Sequence, residues 1–297
     1  MNNKGNKKIL ITGASGMLGA NLASQLSPFY EIFATGGSSF KSHSNYKTWD
    51  LKSKNYNELI AWSKPDIIIH CGALTNGNTC NEEPIEAFDI NGVSIKKLLD
   101  STENHIKIIY ISTDAVFSSE THNASEKDCV SPQNVYGKSK ELGEFFLRTS
   151  DRDYTIIRTT IVGLNLNPAK SGFVEWIINS VKKGEEINLF DDVKFNPISV
   201  WDLGNEIKHI IDNKMDKSIY HISGSEISTK YEFGIKLIKA LELKTSSVNK
   251  GSISDFTKRA KRANDQSLDC SLYQIETGRK LPTLNKTIES IIKNHTS

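Results

Sequence analysis

The chain has 297 residues, with 37 basic and 35 acidic side chains and a formal net charge of +2. That balance gives no strong field toward nucleic acid or a membrane surface, so any anionic ligand must be held by local groups. The four cysteines (Cys71, Cys80, Cys129, Cys270) form no C-x-x-C pair and no His/Cys cluster at zinc spacing, so reduced thiols and no metal site are expected.

In chain order, only about five apolar residues precede Gly13, too few for a signal-peptide core or a membrane span, and a cytoplasmic protein is expected. Lys8–Thr12 reads as a buried strand. It runs into Gly13-Ala-Ser15-Gly16-Met17-Leu18-Gly19 and a helix over Met17–Leu26. Gly13 permits a tight turn, Gly16 lets backbone approach a diphosphate, and Gly19 lets the helix pack on the strand. Open N–H groups and the helix dipole favour phosphate there. Gly13, Ser15, Gly16, Met17 and Leu18 are therefore candidate dinucleotide contacts. The second strand, Glu31–Thr35, leads into Gly36-Gly37-Ser38-Ser39-Phe40-Lys41. No carboxylate stands where one would accept from ribose hydroxyls, and Ser38, Ser39 and Lys41 suit a 2′-phosphate. NADP (NADPH) is favoured over NAD. The same three residues also read as an ordinary solvated loop.

Further strands are expected at Asp66–His70, Lys107–Ser112 and Tyr154–Arg158, with helices at Tyr56–Trp62, Glu86–Leu99 and Val135–Thr149. Ile-rich runs alternating with amphipathic stretches predict an α/β protein: a Rossmann-type doubly wound parallel sheet with a smaller C-terminal substrate-binding lobe. After Arg158 an Asn-rich loop, Gly163–Gly172, precedes a helix near Phe173–Lys183. Residues 1–163 and about 196–222 are assigned to the dinucleotide-binding domain. Residues about 164–195 and 223–297 are assigned to the lobe.

Tyr136 and Lys140 are four apart and share a helix face. They follow the strand that ends at Ser112-Thr113, which brings hydroxyls to the carboxyl edge of the sheet. A phenol titrates near ~10 and exchanges protons poorly at neutrality. An ammonium about 4 Å away contributes up to ~4 kcal/mol, which predicts a lowered Tyr136. Tyr136, Lys140 and Thr113 are the candidate catalytic groups. Tyr136 would protonate a carbonyl oxygen that Thr113 also binds, and Lys140 would hold the nicotinamide ribose.

These pieces join His70-Cys-Gly-Ala-Leu-Thr75, Asn91 in Ile-Asn-Gly, Ser112-Thr-Asp-Ala-Val-Phe117, Asn196-Pro-Ile-Ser-Val-Trp-Asp-Leu203 and Arg262-Ala-Asn-Asp-Gln-Ser-Leu-Asp269. Together they resemble the extended short-chain dehydrogenases/reductases, most closely the dTDP-4-dehydrorhamnose reductases, over nearly the whole chain. The resemblance implies Asp50 and Leu51 near the adenine, with Cys71, Gly72 and Ala73 along the cofactor. It also implies a nucleotide-sugar substrate in the lobe near Thr75 and Thr113, with Arg262 on its phosphates, and it extends to a homodimer. Arg262 also reads as part of a solvated basic face, and Asn196 as either a ligand contact or the start of a turn before Pro197. Dehydratases of this superfamily carry an Asp-Glu pair after the threonine. Asp114-Ala115 stands here, which favours carbonyl reduction over dehydration. The Arg-Pro usual near the C-terminus is Arg262-Ala263, and the Thr75–Cys80 loop lacks the acidic residue typical of the rhamnose enzymes. The sugar, and dTDP or UDP as its carrier, are left open. An epimerase remains an alternative. So does a non-catalytic subunit like the regulatory subunit of methionine adenosyltransferase, although the presence of Thr113, Tyr136 and Lys140 together argues against it.

Overall fold

The alternation closes into a seven-stranded sheet in a computed structural model that describes residues 7–38, 43–215, 218–255 and 260–295. Its strands are β1 (Lys8–Thr12), β2 (Glu31–Gly36), β3 (Tyr46–Thr48), β4 (Ile67–His70), β5 (Lys107–Ile111), β6 (Tyr154–Arg158) and a last strand, Ser218–His221. The order is last strand-β6-β5-β4-β1-β2-β3, with every neighbouring pair parallel. The chain winds outward from β1 to β3, then returns to lay β4 on the other side of β1. The crevice at the carboxyl ends of β1 and β4 is thus the topological switch point, where open α/β sheets bind ligands.

Side chains alternate across the strands, so each face builds its own core. Ile9, Ile11, Ile67, Ile69 and Ile109 pack with Leu18, Leu22, Leu203 and Ile207. Leu10, Ile68, Ile108 and Tyr110 face the other way, against Ile95, Leu98 and Leu147. A third core, with Ile177, Phe195, Phe233, Leu237 and Ile288, joins the helices Phe173–Lys183, Lys230–Ala240 and Leu284–His295 beyond the sheet. No helix among the described residues is long and apolar enough to cross a membrane.

Two expectations need correction. The single helix over Glu86–Leu99 is instead a helix at Pro84–Phe88, a π turn at Asp89–Val93 and a helix at Ser94–Ser101. Pro84 fits the first helical turn, where no N–H is needed. Asn91 explains the π turn: its side chain accepts from Leu74 N (2.7 Å) and donates to Leu74 O and Ser139 Oγ, while its carbonyl accepts from the Tyr110 hydroxyl. The second correction is β3, three half-exposed or exposed residues with no apolar run to announce them.

Two fully buried histidines make the fold sensitive to acid. His70 sits between Thr12 Oγ1 (2.9 Å) and Ser94 Oγ (3.1 Å), and His221 donates from Nδ1 to the Ala124 carbonyl (2.8 Å). Burial lowers each to about 3, below the ~6.5 of an unfolded chain. Above pH ~6.5 both states are unprotonated and nothing changes. Below it only the unfolded chain takes up protons, so stability falls by up to about 1.4 kcal/mol per pH unit for each histidine. The urea midpoint should therefore drop steadily as pH falls below ~6.5; a midpoint that stays level down to about pH 5 would contradict this.

Candidate active site

The turn after β1 is shaped by close backbone approach. Gly13 has φ +71°, and a Cβ there would lie 2.5 Å from the Gly72 Cα on the chain leaving β4. A Cβ on Gly19 would meet the Gly13 carbonyl at 2.6 Å, so helix α1 (Met17–Leu26) packs directly on the turn. No side chain caps α1, and the N–H groups of its first turn can take phosphate oxygens. Ser38 Oγ is buried without a hydrogen-bond partner among the described residues. An uncapped helix start, a glycine cradle and an unsatisfied hydroxyl together fit a dinucleotide.

From this turn an open cleft of about 1360 Å³ runs to the lobe, larger than the ~300–1,000 Å³ usual for one small ligand. Gly13, Ser15, Gly16, Met17, Leu18, Ser38, Asp50, Leu51, Cys71, Gly72 and Ala73 line it near the turn, and Thr75 and Arg262 line it farther on. Ser39 and Lys41 lie outside the described residues. Asn196 does not line the cleft. It is buried, its Nδ2 donates to the Gly224 and Leu268 carbonyls (2.8 Å each), and its Oδ1 accepts from Leu268 N (3.0 Å). Neither a ligand contact nor a mere turn, it clasps two distant segments together, because every polar atom of its amide is already used.

Thr113, Tyr136 and Lys140 meet at the middle of the cleft. Thr113 follows β5, and Asn134 caps the helix Val135–Arg148 that carries the other two, accepting from Gly137 N at 2.8 Å. Gly137 is needed there, because a Cβ would strike the Ala115 carbonyl at 2.2 Å. That contact sets the helix start directly against the Thr113-Asp114-Ala115 turn. The Thr113 hydroxyl lies near enough to the Tyr136 phenol to pull its pKa down, and both line the cleft. Thr113 Oγ1 also donates to Asp114 Oδ1 (2.7 Å), and Thr160 donates to Asp114 Oδ2 (2.9 Å). Lys140 Nζ donates to the Ile111 carbonyl (2.7 Å) and stands 4.0 Å from the centre of the Tyr110 ring.

The expected lowering of Tyr136 by Lys140 does not hold. Burial pushes the phenol above its usual value, against the pull of the Thr113 hydroxyl. Burial also lowers Lys140 to about 7, opposed by Glu144. An ammonium turned onto a carbonyl and a ring face, its own charge disfavoured by burial, does not offset the cost of desolvating a phenolate. The Asp114 carboxyl is likewise raised by burial, opposed by Thr113 and by Lys230.

Beneath these groups lies a buried polar network that reading the sequence missed. Glu144 is one helical turn beyond Lys140. It accepts from Ser112 Oγ (2.5 Å) and from Arg158 Nε (3.0 Å) and NH2 (2.6 Å), and Glu144 and Arg158 are 1% and 2% exposed. Arg158 also lies over the Phe117 ring and beside His221 Nε2. The pair ties the helix of Tyr136 and Lys140 to the residue before Thr113, which fixes their spacing. Lys230, on the lobe, was also missed: its side chain lines the cleft, but a lone lysine far along the chain carries no local signal. No group of three or more potential metal ligands occurs among the described residues.

Residues 7–297 match the family described as the RmlD substrate binding domain. The chain is 32% identical over 242 residues to the spore coat polysaccharide biosynthesis protein SpsK of Bacillus subtilis, covering 80% of this chain and 81% of that one. It is 26% identical over 294 residues to mouse methionine adenosyltransferase 2 subunit beta, covering 96% and 87%. Among solved structures, dTDP-4-dehydrorhamnose reductase from Bacillus anthracis in complex with NADP superimposes with a TM-score of 0.86 at 26% identity, covering 97% of this chain and 99% of that one. The seven-stranded parallel sheet, the glycine turn at its switch point and a family match over nearly the full length agree: the chain belongs to the RmlD family of extended short-chain dehydrogenases/reductases.

Proposed function

We propose that this protein is an NADPH-dependent reductase of the 4-keto group of a nucleotide-linked 6-deoxysugar, acting in the cytoplasm in the synthesis of a cell-surface polysaccharide. The observation that carries the reading is the meeting of Thr113, Tyr136 and Lys140 in one cleft whose far wall is the glycine turn. The likeness to the spore coat polysaccharide biosynthesis protein SpsK and to the dTDP-4-dehydrorhamnose reductase of Bacillus anthracis supports the substrate class.

A nicotinamide cofactor bound along Gly13–Leu18 and Cys71–Ala73 would supply hydride to the carbonyl carbon. Tyr136 supplies the proton to the carbonyl oxygen. The phenol is protonated at neutral pH, the form a reduction requires, and because burial makes it a weaker acid it needs a positive charge beside it as the proton leaves. Thr113 holds the same oxygen, and its hydrogen must swing from Asp114 to do so. Lys140 binds the ribose of the cofactor, and its charge is called on as the phenol gives up its proton. Ala115 lines the cleft where a dehydratase carries an acid–base residue, and it cannot move a proton. The 2′-phosphate of NADPH would be received beside Ser38, whose buried hydroxyl has no partner among the described residues.

The likeness to methionine adenosyltransferase 2 subunit beta supports a second reading, a nucleotide-binding subunit that regulates a partner. A panel of dTDP- and UDP-linked 4-keto-6-deoxyhexoses offered with NADPH and with NADH separates the two. The reductase consumes NADPH faster than NADH with at least one sugar, giving a 4-hydroxy product. Tight cofactor binding with no turnover across the panel would favour the subunit.

A further inference from the structure

Lys230 is costly where it stands. It occupies the first position of the helix Lys230–Ala240, where the helix dipole repels a cation. Its ammonium is 3.5 Å from the centre of the Phe195 ring and 5.3 Å from that of Phe173. Nζ has no hydrogen bond to any described residue, and the side chain lines the cleft. Ordinary stability gives little reason to place a half-buried lysine at a helix N-terminus with no protein acceptor among the described residues for its three donors.

The charges around it locate what it awaits. Both Asp114, next to Thr113 at the reacting end, and Arg262 line the same cleft and act on its charge. Asp114 does not pair directly with the ammonium: its oxygens accept from the Thr113 and Thr160 hydroxyls, and no hydrogen bond or ion pair joins it to Nζ. Arg262 is brought to the cleft by the Asn134 side chain, whose Nδ2 donates to the Lys261 carbonyl at 2.7 Å. In a pyranose the C4 oxygen and the anomeric phosphate leave opposite ends of the ring. A sugar whose C4 carbonyl meets Thr113 and Tyr136 therefore projects its phosphates away from them along the cleft, whose lining also carries the cations Lys230 and Arg262.

We propose that Lys230 is a substrate-binding residue that, together with Arg262, holds the diphosphate of the nucleotide sugar, the Phe173 and Phe195 rings keeping its ammonium pointed into the cleft. This rests on the reductase reading and adds the group that recognises the substrate's charge. Burial lowers Lys230 to about 8, opposed by Asp114 and assisted by Arg262. A diphosphate would stabilise its charged form.

The test is calorimetric binding of dTDP, UDP, thymidine and uridine to the full chain and to Lys230→Met, Lys230→Gln and Lys230→Arg. Loss of the charge should weaken the diphosphate that binds the wild type by about 10- to 100-fold. It should leave the nucleosides and NADPH unaffected and raise KM for the sugar nucleotide by a similar factor, while arginine restores most of the loss. NADPH affinity shows that each variant is folded. Unchanged dTDP and UDP affinity in a folded Lys230→Met or Lys230→Gln overturns the proposal while leaving the reductase reading intact. A wild-type protein that binds neither diphosphate overturns both. The Tyr136→Phe variant, binding the diphosphate normally without turnover, separates recognition from chemistry.

Discussion

Replacing Tyr136 by Phe should lower kcat by about 10²- to 10⁴-fold, the range for removing a positioned proton donor, while NADPH affinity changes little. The ring stays in place and only the hydroxyl is lost, beside the Thr113 hydroxyl that pulls its pKa down. Cofactor contacts from the glycine turn are untouched, because Gly13 and Gly72 are set by backbone approach and not by the phenol. Thr113→Val removes the other group on the carbonyl oxygen and frees Asp114 from one of its two hydroxyl partners. It should cost less than Tyr136→Phe, since hydrogen-bond stabilisation is lost but the proton remains. Fluorescence titration with NADPH and single-turnover kinetics separate binding from chemistry. A Phe variant that turns over at the wild-type rate would remove Tyr136 from the mechanism.

Arg158→Leu should be the most damaging substitution for the fold itself. It strands the Glu144 carboxylate, 1% exposed, with the Ser112 hydroxyl its one remaining hydrogen-bond donor among the described residues. Breaking a buried ion pair from one side costs about 3–5 kcal/mol, which lowers Tm by on the order of 10 °C in a domain of this size. Glu144→Leu combined with Arg158→Leu should recover much of that loss, because apolar side chains of similar volume commonly replace a buried pair at little cost. Activity should not recover fully with it: without Glu144 the direct hydrogen bond from Ser112, next to Thr113, to the helix of Tyr136 and Lys140 is lost. A double-mutant cycle in urea, run beside kcat, checks both parts. A double variant of wild-type stability and wild-type kcat would show the network to be packing alone.

The sheet was legible because its information is local. Runs such as Lys8–Thr12 and Tyr154–Arg158 are apolar on both faces, and the glycines of the first turn have a steric reason visible in their spacing. Tyr136 and Lys140 were legible as a helical pair, and Thr113 as the end of a strand. Nothing local marks Glu144 as the partner of Arg158, or Lys230 as a neighbour of Asp114. These contacts are made by topology, between residues far apart in the chain. Asn196 misled for the opposite reason: a suggestive Asn-Pro motif is fully used in joining Gly224 and Leu268. The sign of the Tyr136 shift was missed because charge was weighed without burial, and burial dominates there.

Isotope transfer tests the central claim most directly. NADPH deuterated at the nicotinamide C4, on each face in turn, is incubated with the enzyme and the accepted 4-keto sugar nucleotide, and the product is read by NMR. One face should deliver its deuterium to sugar C4 at the wild-type rate, and Tyr136→Phe should slow that delivery by the same factor as kcat. Product formed with no deuterium at C4, or NADPH left unconsumed by every 4-keto sugar offered, would contradict the assignment.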